Sequence, residues 1–145
     1  LGMAGNTGTQ SLAVTIRTIS DEDLTKGTVF KMIFKEIKIG FLNGLIIGTL
    51  SFSILYLFLS ITQTEIIPNK GYIVLDAIKV CGSVSISLVG AMLMSSIIGT
   101  FMPLFFKKVH IDPAVASGPF ITTIIDIISI VIYYGLASIL FHTLL

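Results

Sequence analysis

The chain is 145 residues long, 54% hydrophobic and 12% charged, with a mean hydropathy of +0.99. Soluble domains carry about 25% charged residues, so half that share with such hydropathy excludes an ordinary soluble domain and points to the membrane. The net charge of +1 gives no basis for nucleic-acid binding, and the single cysteine, Cys81, excludes an internal disulfide.

The chain opens at Leu1 without a charged signal-peptide start, and so reads as a piece of a longer protein. Its first sixteen residues carry no charge but are too few and too polar to span a bilayer alone. Gly2, Gly5 and Gly8 recur every third residue, with Asn6, Thr7, Thr9, Gln10 and Ser11 among and after them. Such a run is tolerated near membrane spans only where protein or water covers it. It fits a cytoplasmic loop, a re-entrant segment or a polar helix half. No Lys-Ser/Thr pair follows the glycines, so it is not a phosphate-binding loop.

Ser20-Asp21-Glu22-Asp23 reads as a helix start, with Ser20 as the cap. Beyond Gly27, Phe30, Ile33, Phe34, Ile37 and Phe41 share helical spacing, while Lys31, Lys35 and Lys38 fall on another face. This predicts a cytoplasmic amphipathic linker over 20–38 that leads into a span. Three windows are then long and apolar enough to cross a bilayer: 39–61, 80–106 and, within 113–145, a spanning part over about 119–142. Pro103 marks an expected kink or exit in the second. The expected fold class is therefore an all-α, polytopic helical membrane bundle. Arg17, Lys26, Lys31, Lys35 and Lys38 precede the first span, and Lys107 and Lys108 lie between the second and third. Only Lys70 and Lys79 lie between the first and second, which puts the other two segments in the cytoplasm and the C-terminus outside.

Gly40, Gly44 and Gly48 stand four apart in the first span, as do Ser83, Ser87, Ala91, Ser95 and Gly99 in the second. Small residues at that spacing let helix backbones approach closely. Asn43 beside the glycine row reads as an interhelical hydrogen-bonding residue. The span 39–61 has no ionisable group and is assigned to scaffold.

Asp126 is the one charged residue within 113–145. A carboxylate at bilayer depth costs about 2.5–3.5 kcal/mol on insertion scales, so a helix that keeps one normally hides it in a bundle interior or a wet pathway. Thr122, Thr123, Ser129 and Tyr133 lie four and three before and three and seven after it, offsets that place them on one helix face. Branched alkyl groups fill the rest of the circumference. This makes Asp126 a cation-site candidate; the plainer reading is a buried Asp bonded to a neighbouring helix. One carboxylate cannot hold a divalent ion alone. Mg²⁺ takes octahedral oxygen coordination, keeps several waters and uses one or two carboxylates, which favours two copies of the chain with paired Asp126 side chains across a two-fold axis. His110 and His142 flank the span and read as interfacial residues. Asp112 before Pro113 is either a helix-start device or a cation-gathering charge at a channel mouth.

Two stretches resemble the membrane domain of the MgtE family of magnesium transporters. They are Gly5-Asn6-Thr-Gly8-Thr-Gln10 with Arg17 following, and Asp112-Pro-Ala-Val-Ala-Ser-Gly-Pro119-Phe-Ile-Thr-Thr123-Ile-Ile-Asp126. Gly40-Phe-Leu-Asn43-Gly44 and Pro103-Leu-Phe-Phe-Lys-Lys108 fit as well. The resemblance implies a homodimer with five membrane helices per subunit and a pore lined by the second and fifth. Residues 1–19 would be the later part of the second helix, and the three full spans the third to fifth. It implies Mg²⁺ as the bound and transported ion, held at Asp126 with the backbone carbonyl of Thr122, with Asp112 near the cytoplasmic mouth. Asn6 and Gln10 would line the pore, with Thr123 and Ser129 added by the polar stripe. It also implies that the first helix and the cytoplasmic regulatory domains are missing here. Rival readings are a proton-coupled cation carrier and a non-conducting scaffold. An intramembrane aspartyl enzyme would need two acids at one depth, and Asp112 and Asp126 sit at different depths, so no enzymatic role is expected.

Overall fold

The computed structural model describes residues 2–21, 25–63, 66, 73–112 and 119–144. Glu22, Asp23, Lys70 and the 113–118 part of the Asp-Pro signature lie outside the described residues. Four helices follow in order: α1 (Gly2–Asp21), α2 (Lys26–Thr62), α3 (Val74–Lys108) and α4 (Pro119–Leu144). Gly27–Thr62, Val74–Lys108 and Ile121–Thr143 are long and apolar enough to cross a membrane. The all-α, three-span expectation holds, and the windows 39–61, 80–106 and 119–142 fall within α2, α3 and α4.

The centre of the bundle is α3, which packs against all three other helices. Half of its most apolar window is buried, against 17% for α2 and 11% for α4. Its composition explains that position. The buried residues of α3 include Ala77, Cys81, Ser83, Ser85, Ser87, Ala91, Ser95, Ser96, Gly99 and Thr100, nearly all small. In lipid, helix association comes from close packing and interhelical hydrogen bonds, because the acyl chains are as apolar as leucine. Small side chains on α3 permit that approach on every side.

The glycine row of α2 sits on α3. A Cβ at Gly40 would lie 2.6 Å from Ser96 Cβ, one at Gly44 3.1 Å from Val89 Cα, and one at Gly48 3.0 Å from Val89 Cγ2. Gly8 and Gly99 cross where α1 meets α3. A Cβ on Gly99 would strike the Gly8 carbonyl oxygen and come within 2.9 Å of its carbon. Hydroxyls in this interior are met locally: Thr15 donates to Ser11 O at 2.7 Å, Ser87 to Ser83 O at 2.7 Å and Thr100 to Ser96 O at 2.9 Å. These bonds to the carbonyl one turn earlier remove the cost of carrying Ser and Thr inside an apolar bundle.

Other hydroxyls of the described residues bond between helices instead. Ser95 Oγ donates to Ala4 O at 2.5 Å, and Ser96 Oγ donates to Glu36 O at 2.7 Å. Ser11 and Ser96 hydroxyls lie 2.9 Å apart. A hydroxyl has one proton to give. Ser96 spends its proton on Glu36 O, so Ser11 is the donor to Ser96, and a relay ties α1 through α3 to α2.

Two local expectations are corrected. Ser20 does not start a helix: it lies in the last turn of α1, where its Oγ donates to Ile16 O at 3.0 Å. The N-cap of α2 is Thr25, whose side chain accepts from the Thr28 N–H at 3.2 Å. Pro103 is no exit, since α3 runs through it to Lys108 with Pro103 buried. The helix closes at His110, which takes the left-handed conformation at φ 59°. The His110 N–H bonds to Lys107 O at 3.2 Å and the Ile111 N–H to Phe106 O at 2.9 Å, a Schellman pattern with histidine where glycine is usual.

The stretch 26–38 is continuous with the span that follows it in α2. Its inward positions are Met32, Glu36 and Gly40, while Phe30 and Phe34 are 72% and 64% exposed. The phenylalanine face thus points away from the bundle, as suits residues offered to lipid.

Candidate functional site

The site is built where α4 lies against α1. Leu12 of α1 packs on Ile121 and Ile125 of α4, all three buried, and this contact fixes how α4 is rotated about its axis. With Ile121 and Ile125 turned inward, Asp126 comes to the edge of the α1–α4 contact. There its carboxylate rests against Gly5. A Cβ at Gly5 would overlap Asp126 Oδ1 and stand 3.2 Å from Cγ. Gly5 is therefore the residue that makes space for the acid. Asp126 itself is exposed on the surface of the single chain. It is not locked inside the helix bundle.

The neighbours predicted for Asp126 divide. Thr122 is half-buried and Thr123 exposed, both within one turn of the acid. Helix geometry directs the Thr122 carbonyl toward the residue 126 N–H, which leaves one lone pair of that oxygen unused by the ladder. Tyr133 is partly buried and packs on the cluster of Ala4, Leu88, Ala91 and Met92. Ser129 is 1% exposed, and its Oγ donates to Ile125 O at 2.7 Å. Its side chain is buried and is not at the accessible surface beside Asp126. Ile127, Ile130, Val131 and Tyr134 cover the outward face of α4 at 43–65% exposure.

The polar residues of α1 also divide. Gly2, Asn6, Gln10, Ala13 and Arg17 are exposed along one face. Asn6 and Gln10 line a cleft of about 250 Å³ with Met3, Thr7, Asn43, Ile46, Ile47 and Met92. This cleft opens on the α2 side of α1, whereas Gly5 and Leu12 face α4. Asn43 shares that cleft with the two amides of α1. Thr9 follows Gly5 by one turn, and its Oγ1 donates to Gly5 O at 2.9 Å. Its signal was the offset of four from Gly5, readable only once Asp126 is known to lie there.

Asp112 is exposed just past the end of α3. His142 is exposed near the end of α4 and His110 sits in the α3 terminus. Among the described residues, no three His, Cys, Asp or Glu side chains converge. A single chain thus offers a metal one carboxylate at this point, together with threonine and carbonyl oxygens. That donor set suits a hard cation that keeps much of its water, and it does not suit a soft metal.

The charged end of the bundle is held together by Lys107, whose Nζ donates to Ile19 O at 3.2 Å. A cation on the last carbonyls of α1 suits the negative end of its dipole, and it joins the ends of α1 and α3.

The chain is similar to known proteins over nearly its whole length. The family model described as "MgtE: Divalent cation transporter" matches residues 1–136. The chain is 39% identical over 143 residues to the magnesium transporter MgtE of Bacillus subtilis, covering 99% of this chain and 28% of that protein. It is 31% identical over 137 residues to the magnesium transporter MgtE of Enterococcus faecalis, covering 94% and 27%. It is 29% identical over 140 residues to that of Thermus thermophilus, covering 97% and 27%. The chain therefore spans little more than a quarter of the length of these curated relatives. No solved structure matches it. With a match across nearly its whole length, the chain belongs to the MgtE family of divalent cation transporters.

Proposed function

We propose that this chain is the Mg²⁺-conducting part of a membrane transporter, with Asp126 as the central ion site. The observation that carries this reading is the carboxylate of Asp126 resting against Gly5, at an accessible edge between a polar helix and an apolar one. An acid there is costly at bilayer depth, and among the described residues no structural ion pair engages it. The single carboxylate per chain supports a homodimer in which two Asp126 side chains face one path. The ion keeps most of its water and meets the Thr122 carbonyl and the Thr123 hydroxyl beside each acid. Asn6 and Gln10 line the polar approach along α1, and Asp112 gathers cations at the cytoplasmic mouth. Ser129 acts in helix packing.

The protein lies in the plasma membrane with its C-terminus outside and its basic end in the cytoplasm. Gating belongs to cytoplasmic regulatory regions of the full-length protein. The relatives' names, each a magnesium transporter, support Mg²⁺ as the cargo.

The test is growth rescue of a Mg²⁺-uptake-deficient strain by the full-length parent protein. The Asp126→Ala form should insert but fail to rescue. Rescue at the parental level would reject Asp126 as the ion site. A proton-coupled carrier is distinguished by flux: uptake should follow membrane voltage and ignore an imposed pH gradient.

A further inference from the structure

At the charged end of the bundle, α1 and α2 diverge and leave a second cleft. It measures about 360 Å³ and is lined by Val14 and Thr18 of α1 and by Thr28, Lys31, Met32, Lys35 and Glu36 of α2. Lys31 and Lys35 are exposed and one turn apart, so both ammonium groups reach the same rim. Thr18 and Thr28 add hydroxyls from the two walls. Val14 and Met32 add apolar surface. Glu36 is 3% exposed and forms part of the inner wall. Its backbone carbonyl accepts from Ser96 Oγ at 2.7 Å, so the interhelical relay ties the backbone of α2 at this point. The ion path at Asp126 does not use this carboxylate.

We propose that this cleft holds the headgroup of a glycerophospholipid, with its phosphate on Lys31 and Lys35 and a hydrogen-bond donor of the headgroup on Glu36. Charge complementarity argues for the phosphate: the ammonium groups of Lys31 and Lys35 are donors of the type that bind phosphate oxygens. Position argues for a lipid. The cleft opens where a membrane-spanning helix carries Phe30 and Phe34 72% and 64% exposed on adjoining turns, an aromatic edge suited to the headgroup level. The apolar Val14 and Met32 walls give the glycerol and first acyl carbons a surface that inorganic phosphate could not use. Glu36 then sets headgroup choice. Ethanolamine and glycerol headgroups carry donors for its carboxylate, whereas choline carries none.

The experiment is native mass spectrometry of the chain in detergent after addition of phosphatidylethanolamine, phosphatidylglycerol or phosphatidylcholine, with inorganic phosphate as a separate arm. Ethanolamine and glycerol lipids should be retained over choline lipid. Lys31→Gln with Lys35→Gln should lower that retention roughly tenfold, equivalent to losing about 1.4 kcal/mol of binding, while circular dichroism stays unchanged. Lys38→Gln with Lys108→Gln removes equal charge without touching the cleft lining and should leave retention intact. Equal loss in this control pair, equal retention of choline lipid, or complete displacement by inorganic phosphate would each overturn the assignment.

Discussion

Gly5 and Asp126 form a pair in which one residue is defined by what it lacks. The Gly5 position has room for the tip of the Asp126 carboxylate only because no Cβ is there. The atom that a methyl would strike is the far end of a side chain with free rotamers, so Gly5→Ala should cost under about 1 kcal/mol in stability. It should nonetheless swing the carboxylate off its present position. Mg²⁺ uptake should fall severalfold while thermal stability and expression remain near wild type. Loss of uptake accompanied by loss of fold would mean that Gly5 serves packing alone. Ser129 provides the opposite case. Because its hydroxyl is buried and bonded to Ile125 O, Ser129→Ala should leave uptake unchanged, as measured by the same rescue growth. The sequence pattern put Ser129 on the face of Asp126 because an offset of three residues falls about a sixth of a helical turn from alignment. The Leu12 contact with Ile121 and Ile125 settles the rotation, and that contact joins residues far apart in the chain.

The helices show the same division between what local pattern encodes and what packing decides. The three spans were legible because bilayer thickness fixes how many apolar residues a crossing helix needs. Helix α1 left several readings open because its glycines, threonines and serines have poor helical propensity. It is helical because Gly8 meets Gly99 at backbone contact, because its hydroxyls bond one turn back, and because Lys107 satisfies Ile19 O near its end. The same continuation carries α1 through Ser20 and transfers the cap of α2 to Thr25. Likewise, the periodicity of Phe30 and Phe34 identified a common face but not its direction, since in lipid an apolar face is stable pointing outward. The Gly8–Gly99 crossing offers a direct check. Gly99→Ala places a methyl on backbone atoms that cannot rotate away, so it should destabilise the bundle by about 1–3 kcal/mol, read as a lowered melting temperature in detergent. Removing the relay through Ser96→Ala should cost less, about 0.6 kcal/mol, in line with typical hydrogen bonds between membrane helices. At the end of α3, His110→Gly should stabilise by roughly 0.5–1 kcal/mol, because glycine takes the left-handed conformation without steric cost.

At the scale of the molecule, one helix gathers the others and leaves Asp126 at an edge. The small-residue surface of α3 is spent on α1, α2 and α4, so the bundle holds Asp126 in position without enclosing it. In the proposed pathway a second copy and water complete its surroundings. In that arrangement the rigid centre keeps the site in register, and the exposed polar face of α1 supplies the wet approach. The proposed lipid cleft lies at the charged end of the same bundle and draws on the relay through Ser96, so a bound headgroup would brace α2 against α1. The site residues were legible as a candidate stripe around Asp126, whereas the contribution of Gly5 became visible only through the contact between helices. The central claim is tested most directly by Mg²⁺ flux into proteoliposomes containing the full-length parent protein or its Asp126→Asn form, which keeps the shape of the side chain and removes its charge. The account predicts that flux is abolished in the variant with insertion and oligomeric state unchanged; flux at the parental rate would contradict it.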